Sequence, residues 1–590
     1  MPFHGTNSGR RFANRRIFLF GLMLLVFAGE IATPQLMERR DAERKFETRA
    51  VWVATIFGLD WPSQSRGKPA AEQKKELLEI FSNIDRQHFN TVYFQVRSRG
   101  NAVYKSSLEP WALELTGFLG RDPGWDPLAV AVDAAHERGL EIHGWFNVFK
   151  VWSGGNRVPR CNPLHVALAH PEWVKQVGDE IWIDPGIPEA RRYIVDVIVD
   201  CASRYDLDGV HLDYIRYPGV SFDDRETFRR YGDGQNKEEW RRQNVSLFVE
   251  ELSRRLREVK PWIKIGAAPI GIYRNIDGVK GWQAYSAVYQ DSRLWLREGW
   301  LDYLAPQIYW GLKSKGSRID VSALARDWFQ STAGRSVVAG LAAYKKNVAN
   351  HLERLIDTMR AVGLNGQSFF RYAFIRKRGF FKQRYAVRAL PARMSWMRLK
   401  SPSPVAFRVI RTDKGNRVEW TASSGTKTIR WFVVYRSDGA EPDVDDPRNI
   451  YRIVFHDRRY FLDTSGLETH RYVVTSLSSS GSESLPEKAM PVLVSTETPV
   501  LARVYQPRLS VLLYPRGNIL LVGYTISARA HVSLKILGSD GREIVTLVDN
   551  DKSPGIHIAG ITLDHLPNEK MTLRLESGAF KADRDFSFPE

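Results

Sequence analysis

The sequence predicts a multidomain chain, a (β/α)8 TIM barrel followed by two β-sandwich domains. Two observations lead there. From Arg49 to Ile375 short apolar stretches alternate with amphipathic helical patterns, and eight such stretches can be read. Past residue 400 the helical periodicity fades, and short alternating strands with Gly, Ser and Asp turns take over. A chain of 590 residues also has room for about three or four domains.

The eight strands expected are 49–56, 91–98, 141–149, 209–216, 264–270, 303–310, 336–344 and 367–375. Leu77, Leu78, Ile80, Phe81 and Ile84 recur at helical spacing within 71–88. A helix over 128–138 runs into Gly139, a C-cap residue, and one over 348–362 runs into Gly363. A long helix over 236–260 stops at Pro261, and 191–205 reads as a helix that turns into the fourth strand. The alternative, an open doubly wound sheet, would normally carry a Gly-rich phosphate loop after its first strand, and none is present. The surplus length lies in the loops after strands two, three and four, which rise on the catalytic face of such a barrel.

The boundaries expected are an export signal or membrane anchor at 1–32, a tether at 33–47, the barrel at 48–398, and sandwiches at 402–496 and 500–590. The first segment has Arg10, Arg11, Arg15 and Arg16 ahead of the apolar run 17–29, a basic n-region and an h-region of secretory size. Arg15-Arg16-Ile17-Phe18-Leu19 resembles a twin-arginine export signal. Without cleavage the run would act as an anchor. Export to the periplasm or cell surface follows as the expectation. The two cysteines, Cys161 and Cys201, cannot make a disulfide framework and read as independent thiols. A net charge of +18 suits a basic solvated surface, or affinity for an anionic cell-wall or membrane surface. No nucleic-acid-binding signature accompanies it, and nothing in the sequence specifies an oligomeric state.

The candidate site is organised around Gly209–Pro218. Alternation puts His211, Asp213, Ile215 and Tyr217 on one face of the fourth strand, so Asp213 stands at its C-terminal end, where a parallel barrel does its chemistry. The inward positions of the other strands are unusual for a barrel interior. Strand two offers Tyr93, Gln95 and Arg97, strand three His143, Trp145 and Asn147, and strand six Gln307 and Tyr309. This is a polar, aromatic-lined cup suited to a polysaccharide, whose C–H faces stack on rings and whose hydroxyls take amide and charged partners. Glycoside cleavage commonly needs two carboxyl groups across the scissile bond. Asp213 is the first candidate and Glu109, in Leu108-Glu-Pro-Trp111, the second. Arg97, His143, Asn147, His211, Tyr214, Arg216, Gln307 and Tyr309 would bind hydroxyls, with Trp111, Trp145 and Trp310 as stacking platforms. Asp60 in the loop after strand one is a further contact, or a carboxylate that shapes its own turn. For Glu109 the alternative is a loop carboxylate holding Arg97 or Arg99. For Asp213 it is an ion pair with Arg216 or Arg97. His143, His211 and Asp213 could in principle hold a metal, but no His-x-His pair occurs, and neither metal nor cofactor is expected.

These motifs resemble the bacterial glycosyl hydrolase-like 10 family. The resemblance covers residues 49–375 and rests on Arg49-Ala-Val-Trp-Val-Ala-Thr55 with Asp60-Trp-Pro62, on Phe94-Gln-Val-Arg97 and on Leu108-Glu-Pro-Trp111. Ala135-His-Glu-Arg-Gly139, Asp184-Pro-Gly186, Asp208–Pro218 and Gly299–Trp310 continue it in order. It implies a (β/α)8 glycoside hydrolase linked to bacterial cell-wall or surface glycans. Many members read His-x-Asp-Asp-Tyr at strand four. Here Tyr214 stands in place of the second Asp, and Asp213 is retained. In the C-terminal region, Trp420, Trp431 and Tyr435 with Tyr472–Ser476 resemble a fibronectin type III domain, and 532–548 resembles a small immunoglobulin-like domain.

Overall fold

In a computed structural model of the chain, the residues described are 44–155, 157–312, 319–377, 379, 381–421, 428–487, 493–494, 508–514, 519–526, 529–552, 555–562, 566–567 and 570–587. The export segment at 1–32 and most of the tether fall outside them. Among the described residues, no helix is long and apolar enough to cross a membrane.

Eight parallel strands close into a barrel: β1 (Thr48–Val53), β2 (Thr91–Arg97), β3 (Glu141–Asn147), β4 (Gly209–Asp213), β5 (Lys264–Ala267), β6 (Tyr303–Leu304), β7 (Ser336–Ala342) and β8 (Gly366–Phe370). Each pairs with its neighbours in the sequence, and β8 closes on β1. The helices between them bury the expected apolar stripe. Ala70–Arg86 covers the barrel with Leu77, Ile80, Phe81 and Ile84. Lys237–Val259 begins where the Asn236 side chain accepts from Glu238 N and Glu239 N. Leu352–Val362 ends on Gly363 at φ 98°, a left-handed cap that glycine adopts without a Cβ penalty.

The barrel interior holds rings, and glycines on the facing strands make room for them. A Cβ on Gly209 would lie 2.5 Å from the His143 ring, one on Gly266 would lie 2.1 Å from Tyr303, and one on Gly340 would lie 3.2 Å from Trp52. His211 stacks on Tyr93 with centroids 4.0 Å apart. Tyr303 Oη meets both His143 Nδ1 at 2.8 Å and His211 Nδ1 at 2.9 Å, and Trp52 Nε1 donates to His211 Nε2 at 3.0 Å. The middle of the barrel is therefore a buried, hydrogen-bonded aromatic layer.

Two segments extend this unit. Between β3 and β4 the chain inserts a three-stranded antiparallel sheet, Lys150–Ser153, Val174–Val177 and Glu180–Ile183, above the C-terminal end of the barrel. At the opposite end the segment after β8 crosses beneath the strands. Leu390 N donates to Lys45 O and Glu47 N to Leu390 O, Ala392 N donates to Thr48 Oγ1, and Trp396 Nε1 reaches Asp302 Oδ1 at 3.1 Å. It leads into antiparallel sheets that share one core. Ala406–Thr412, Gly415–Thr421 and Tyr460–Asp463 belong to one sheet, and Ile429–Asp438, Ile450–Phe455 and His470–Ser478 to the other. These sheets sit on the N-terminal end of the barrel. Arg430 binds Asp208 Oδ1 at 2.7 Å and Asp206 at 2.9 Å, and His136 stacks on Phe455 with centroids 4.0 Å apart. Gly139, at φ 72°, lies so close that a Cβ there would come within 2.6 Å of Ile453 O.

The remainder, from Val494 on, is a separate compact unit. It has a sheet of Arg508–Tyr514, Ile519–Ile526 and Gly555–Thr562 and another of Glu543–Lys552, Ala530–Leu537, Met571–Ser577 and Phe580–Phe586, around a common core. Cys161 and Cys201 are free thiols, as expected.

Candidate active site

β4 ends at Asp213 because the backbone reverses at the next residue. Tyr214 has φ 50°, a left-handed conformation that costs a non-glycine residue about 1 kcal/mol or more. Its N–H donates back to Asp213 Oδ1 at 2.7 Å. The alternation expected through Tyr217 therefore stops at Asp213. Ile215 and Tyr217 enter the apolar core, while Tyr214 and Arg216 remain beside the acid at the mouth of the barrel.

Asp213 is buried, and burial pushes its carboxyl up to about 6, against the opposing pull of the Tyr214 N–H and the charges of Arg216 and Lys150. Among the described residues it makes no ion pair, so the pairing with Arg97 or Arg216 considered from the sequence is not formed. Gln307 Nε2 lies 3.5 Å from its Oδ1. Tyr309 stands close enough to feel the charge of Asp213, and burial raises the Tyr309 hydroxyl well above its ordinary value. Burial likewise pushes Tyr214 up to about 12, with Asp213 adding to the shift. The Arg216 guanidinium lies 5.1 Å above the Trp182 ring, 5.2 Å from Tyr214 and 5.2 Å from Trp282. Burial lowers its pKa, and it has no carboxylate partner among the described residues. Lys150 sits 4.8 Å over Tyr214 and pairs with Glu180, which also accepts from Trp182 Nε1 at 2.8 Å. Tyr344, 43% exposed, and Phe374 carry the aromatic surface outward from Tyr309 and Phe370.

Other predicted site residues fall elsewhere. Glu109 is fully buried, and its carboxylate takes Arg97 Nε at 2.9 Å on both oxygens and Arg97 Nη2 at 2.6 Å. Arg97 in turn donates to the carbonyls of Asn147 and Val148. The pair is a brace under the loops, and the Glu109 side chain, with 0% exposure, opens on no cleft. Asp60 is likewise enclosed: Ala54 N, Ala373 N and Arg371 Nη1 donate to it, fastening the loop after β1 to the one after β8, while burial still raises its pKa. Asn147 donates to Ser98 O at 2.8 Å. His143 and His211 belong to the aromatic layer, two rungs or more below the rim. Burial, with the charge of His143 beside it, drives the His211 pKa far down, so the ring is neutral. Trp145 is buried in the same layer. Trp111 and Trp310 are half-buried against the barrel core. Thus Asp213, Tyr214, Arg216, Gln307 and Tyr309 come together, and Glu109, Asp60, Arg97, Asn147, His143, His211 and Trp145 are framework. Among the described residues no three His, Cys, Asp or Glu side chains converge as a metal site would require.

The inserted sheet after β3 brings residues that the sequence reading did not single out, Lys150, Glu180 and Trp182, together with Trp282 and Tyr344 from later loops. The one sequence signal was the length of the β3–β4 connection.

Residues 47–355 match the glycosyl hydrolase-like 10 family. The chain belongs to that family. Its relatives include glycosyl hydrolase YngK of Bacillus subtilis, 30% identical over 80% of this chain and 97% of the relative. Glycosyl hydrolase DigH of Escherichia coli is 34% identical over 52% of this chain and 75% of the relative. Among solved structures, the catalytic domain of a β-amylase from Paenibacillus polymyxa aligns with 58% of this chain and 97% of its own length, at 12% identity and a TM-score of 0.39. The family match ends before β8, so the matched segment alone would leave the barrel one strand short.

Proposed function

We propose that the chain is an exported glycoside hydrolase that cleaves a bacterial envelope polysaccharide, peptidoglycan glycan or an exopolysaccharide. The observation that carries this reading is the state of Asp213. It is a carboxyl raised to about 6, in no ion pair among the described residues, at the C-terminal end of β4 and ringed by Tyr214, Arg216, Gln307 and Tyr309. Such a group is poised to give and take a proton near neutral pH.

The two-carboxylate scheme loses its expected second member, because Glu109 is spoken for by Arg97. Glu180, the other carboxylate at the mouth, is held by Lys150 and Trp182 Nε1. A substrate-assisted route fits this arrangement best. Asp213 in its acid form passes its proton to the glycosidic oxygen as the C1–O bond breaks. The carbonyl oxygen of a 2-acetamido group on the same sugar attacks C1, giving a cyclic oxazolinium. Asp213, now a carboxylate, takes a proton from the water that opens this ring, and is restored. The substrate would then be a polymer of 2-acetamido sugars, with Tyr309 and Gln307 holding the acetamido group and Tyr344 and Trp282 stacking on the rings.

The test is reducing-end release from purified cell-wall glycan by the wild type and by Asp213→Asn. Loss of release with an unchanged fold supports the reading, and retained release refutes it. The second reading, a glycan-binding protein without turnover, is favoured by Tyr214 in place of the family's second Asp. It predicts binding with no reducing ends from either protein. The sheets from 406 to 478 and from 508 to 586 fit fibronectin type III-like and immunoglobulin-like modules, and we assign them spacer roles.

A further inference from the structure

Beside the Asp213 cleft, on the same C-terminal face, lies a cavity of about 410 Å3 between the loops after β1, β2 and β3. Its wall carries four arginines, Arg66, Arg99, Arg157 and Arg160, and the rings of Phe57 and Trp152. Arg99 is buried between the two rings, 4.4 Å from Phe57 and 4.7 Å from Trp152. Glu114 holds one end of its guanidinium at 2.5 Å, yet Arg99 Nε has no hydrogen-bond partner. Ser153 Oγ, in the same wall and also buried, has none either. Burial lowers the pKa of Arg99, and Arg66 is near enough to lower it further. Arg66, Arg157 and Arg160 are exposed and have no carboxylate partner among the described residues. Glu114 offsets Arg99 alone, so the other three guanidiniums bring like charge to the cavity that no ion pair among the described residues offsets, and an anion bound there would offset it.

We infer that this cavity is a subsite for a sugar bearing an anionic substituent, a carboxylate or a phosphate, which guanidinium forks bind through paired N–H donors while Phe57 and Trp152 hold the ring. The inference rests on the carbohydrate reading above and deepens it by naming the charge of the polymer. The two sites share one strand: Lys150 leans over Tyr214 in the cleft, and Ser153 lines the cavity about 10 Å along. One oligosaccharide could occupy both.

The test uses the full chain carrying Asp213→Asn, so that binding is measured without turnover, and wall glycan freed of peptide as the probe. Calorimetry compares this glycan with samples whose carboxylates have been amidated or whose phosphates have been removed with hydrofluoric acid. The same series is run on a variant that adds Arg157→Ala and Arg160→Ala, both exposed positions, with its melting curve as the check on folding. The expected result is a loss of about tenfold in affinity on one of the two chemical treatments and on removal of the arginines. The treatment that weakens binding identifies the anion. Affinity that is indifferent to both treatments, or to loss of the arginines, overturns the inference, as does failure to bind the untreated glycan. Hydrolysis by the wild type is scored separately. Arginine-dependent binding without hydrolysis sinks the enzyme reading and keeps this one, and equal hydrolysis of treated and untreated glycan does the reverse.

Discussion

The two ends of the barrel differ in how completely they pair buried charge. At the N-terminal end, carboxylates at or just before the first residue of four strands each meet a cation. Glu47 pairs with Arg49 and Arg360, Glu141 with Lys264, Asp208 with Arg430, and Asp302 with Arg257. At the C-terminal end Arg97–Glu109, Arg99–Glu114 and Asp60–Arg371 are paired too, but among the described residues Asp213 and Arg216 form no ion pair, and Arg99 keeps an unused donor. A buried pair has met its desolvation cost within the protein. A buried group left single carries that cost unrelieved, and a ligand can relieve it. The pairing pattern thus separates scaffold from site more sharply than residue type does. Glu109 makes the point: it rises from the loops of the upper end, yet by its partner Arg97 it belongs with the scaffold.

The sharpest way to break this comparison is Asp213→Asn. We expect glycan hydrolysis to fall by about 10²–10⁴-fold. Loss of the same carboxyl should raise stability at neutral pH by up to about 3 kcal/mol, because a charge held at a pKa of about 6 opposes folding there. Chemical denaturation at pH 7 checks this, and a less stable variant would contradict the assignment. Glu109→Gln should behave oppositely. It leaves Arg97 buried and unpaired, costing about 3–5 kcal/mol of stability, with lost activity traceable to unfolded protein. A fully folded Glu109→Gln protein with no turnover would return Glu109 to the chemistry.

Arg430→Ala tests the lower end. Asp208 would lose its guanidinium and keep only His136 and the Ile142 N–H, and the denaturation midpoint should fall by the equivalent of about 3 kcal/mol, with activity per folded molecule unchanged. The pH dependences of the two ends should also run in opposite directions. Burial raises Glu47, but Arg360 and Arg49 outweigh it and hold the carboxyl at about 2, below its ordinary 4.5. Its contribution to stability is present above pH 4.5 and is lost as pH falls toward 2. Asp213, raised from 3.8 to about 6, contributes stability that is fully present below pH 3.8 and lost as pH rises through 6. Stability curves of the wild type and Asp213→Asn should coincide below pH 3.8, draw apart between pH 3.8 and 6 and run parallel above, while hydrolysis should decline as pH rises past 6 and the carboxyl loses its proton. The smallest expected effect is that of Tyr344→Ala, where loss of an exposed stacking ring should weaken substrate binding by about 1 kcal/mol, read as a rise in KM with kcat little changed.

Much of the barrel was legible. Six of the eight strands start at the expected residue, and β1 and β8 start one residue earlier, at Thr48 and Gly366. Strand ends were overextended for a local reason. β5 was read through Ile270 and β6 through Trp310, but Pro269 and Pro306 remove the ladder donors, and the strands finish at Ala267 and Leu304. Inward-facing residues were found by their period of two. Their height in the barrel was not, and height decides function. His143 and Trp145 lie on the same face of β3 as Asn147, at the strand's end, but stand lower and are walled in by rings from other strands. Which carboxylate meets which arginine was equally invisible, because Glu109 and Arg97 are brought together by loop geometry and not by any spacing rule. The turn at Tyr214 could not be read from a residue type that ordinarily avoids φ 50°.

The docking of Arg430, Phe455 and Ile453 against Asp208, His136 and Gly139 has a practical corollary. A gene trimmed at the change of texture near residue 400 would express a cylinder with its underside stripped, Asp208 facing bulk water and Leu390 torn from its neighbours. A portable unit must carry the sheets built from Ala406–Thr412 through His470–Ser478 along with the barrel. Anyone transplanting this catalyst, or any recombination event that moves it between genomes, must carry its pedestal along.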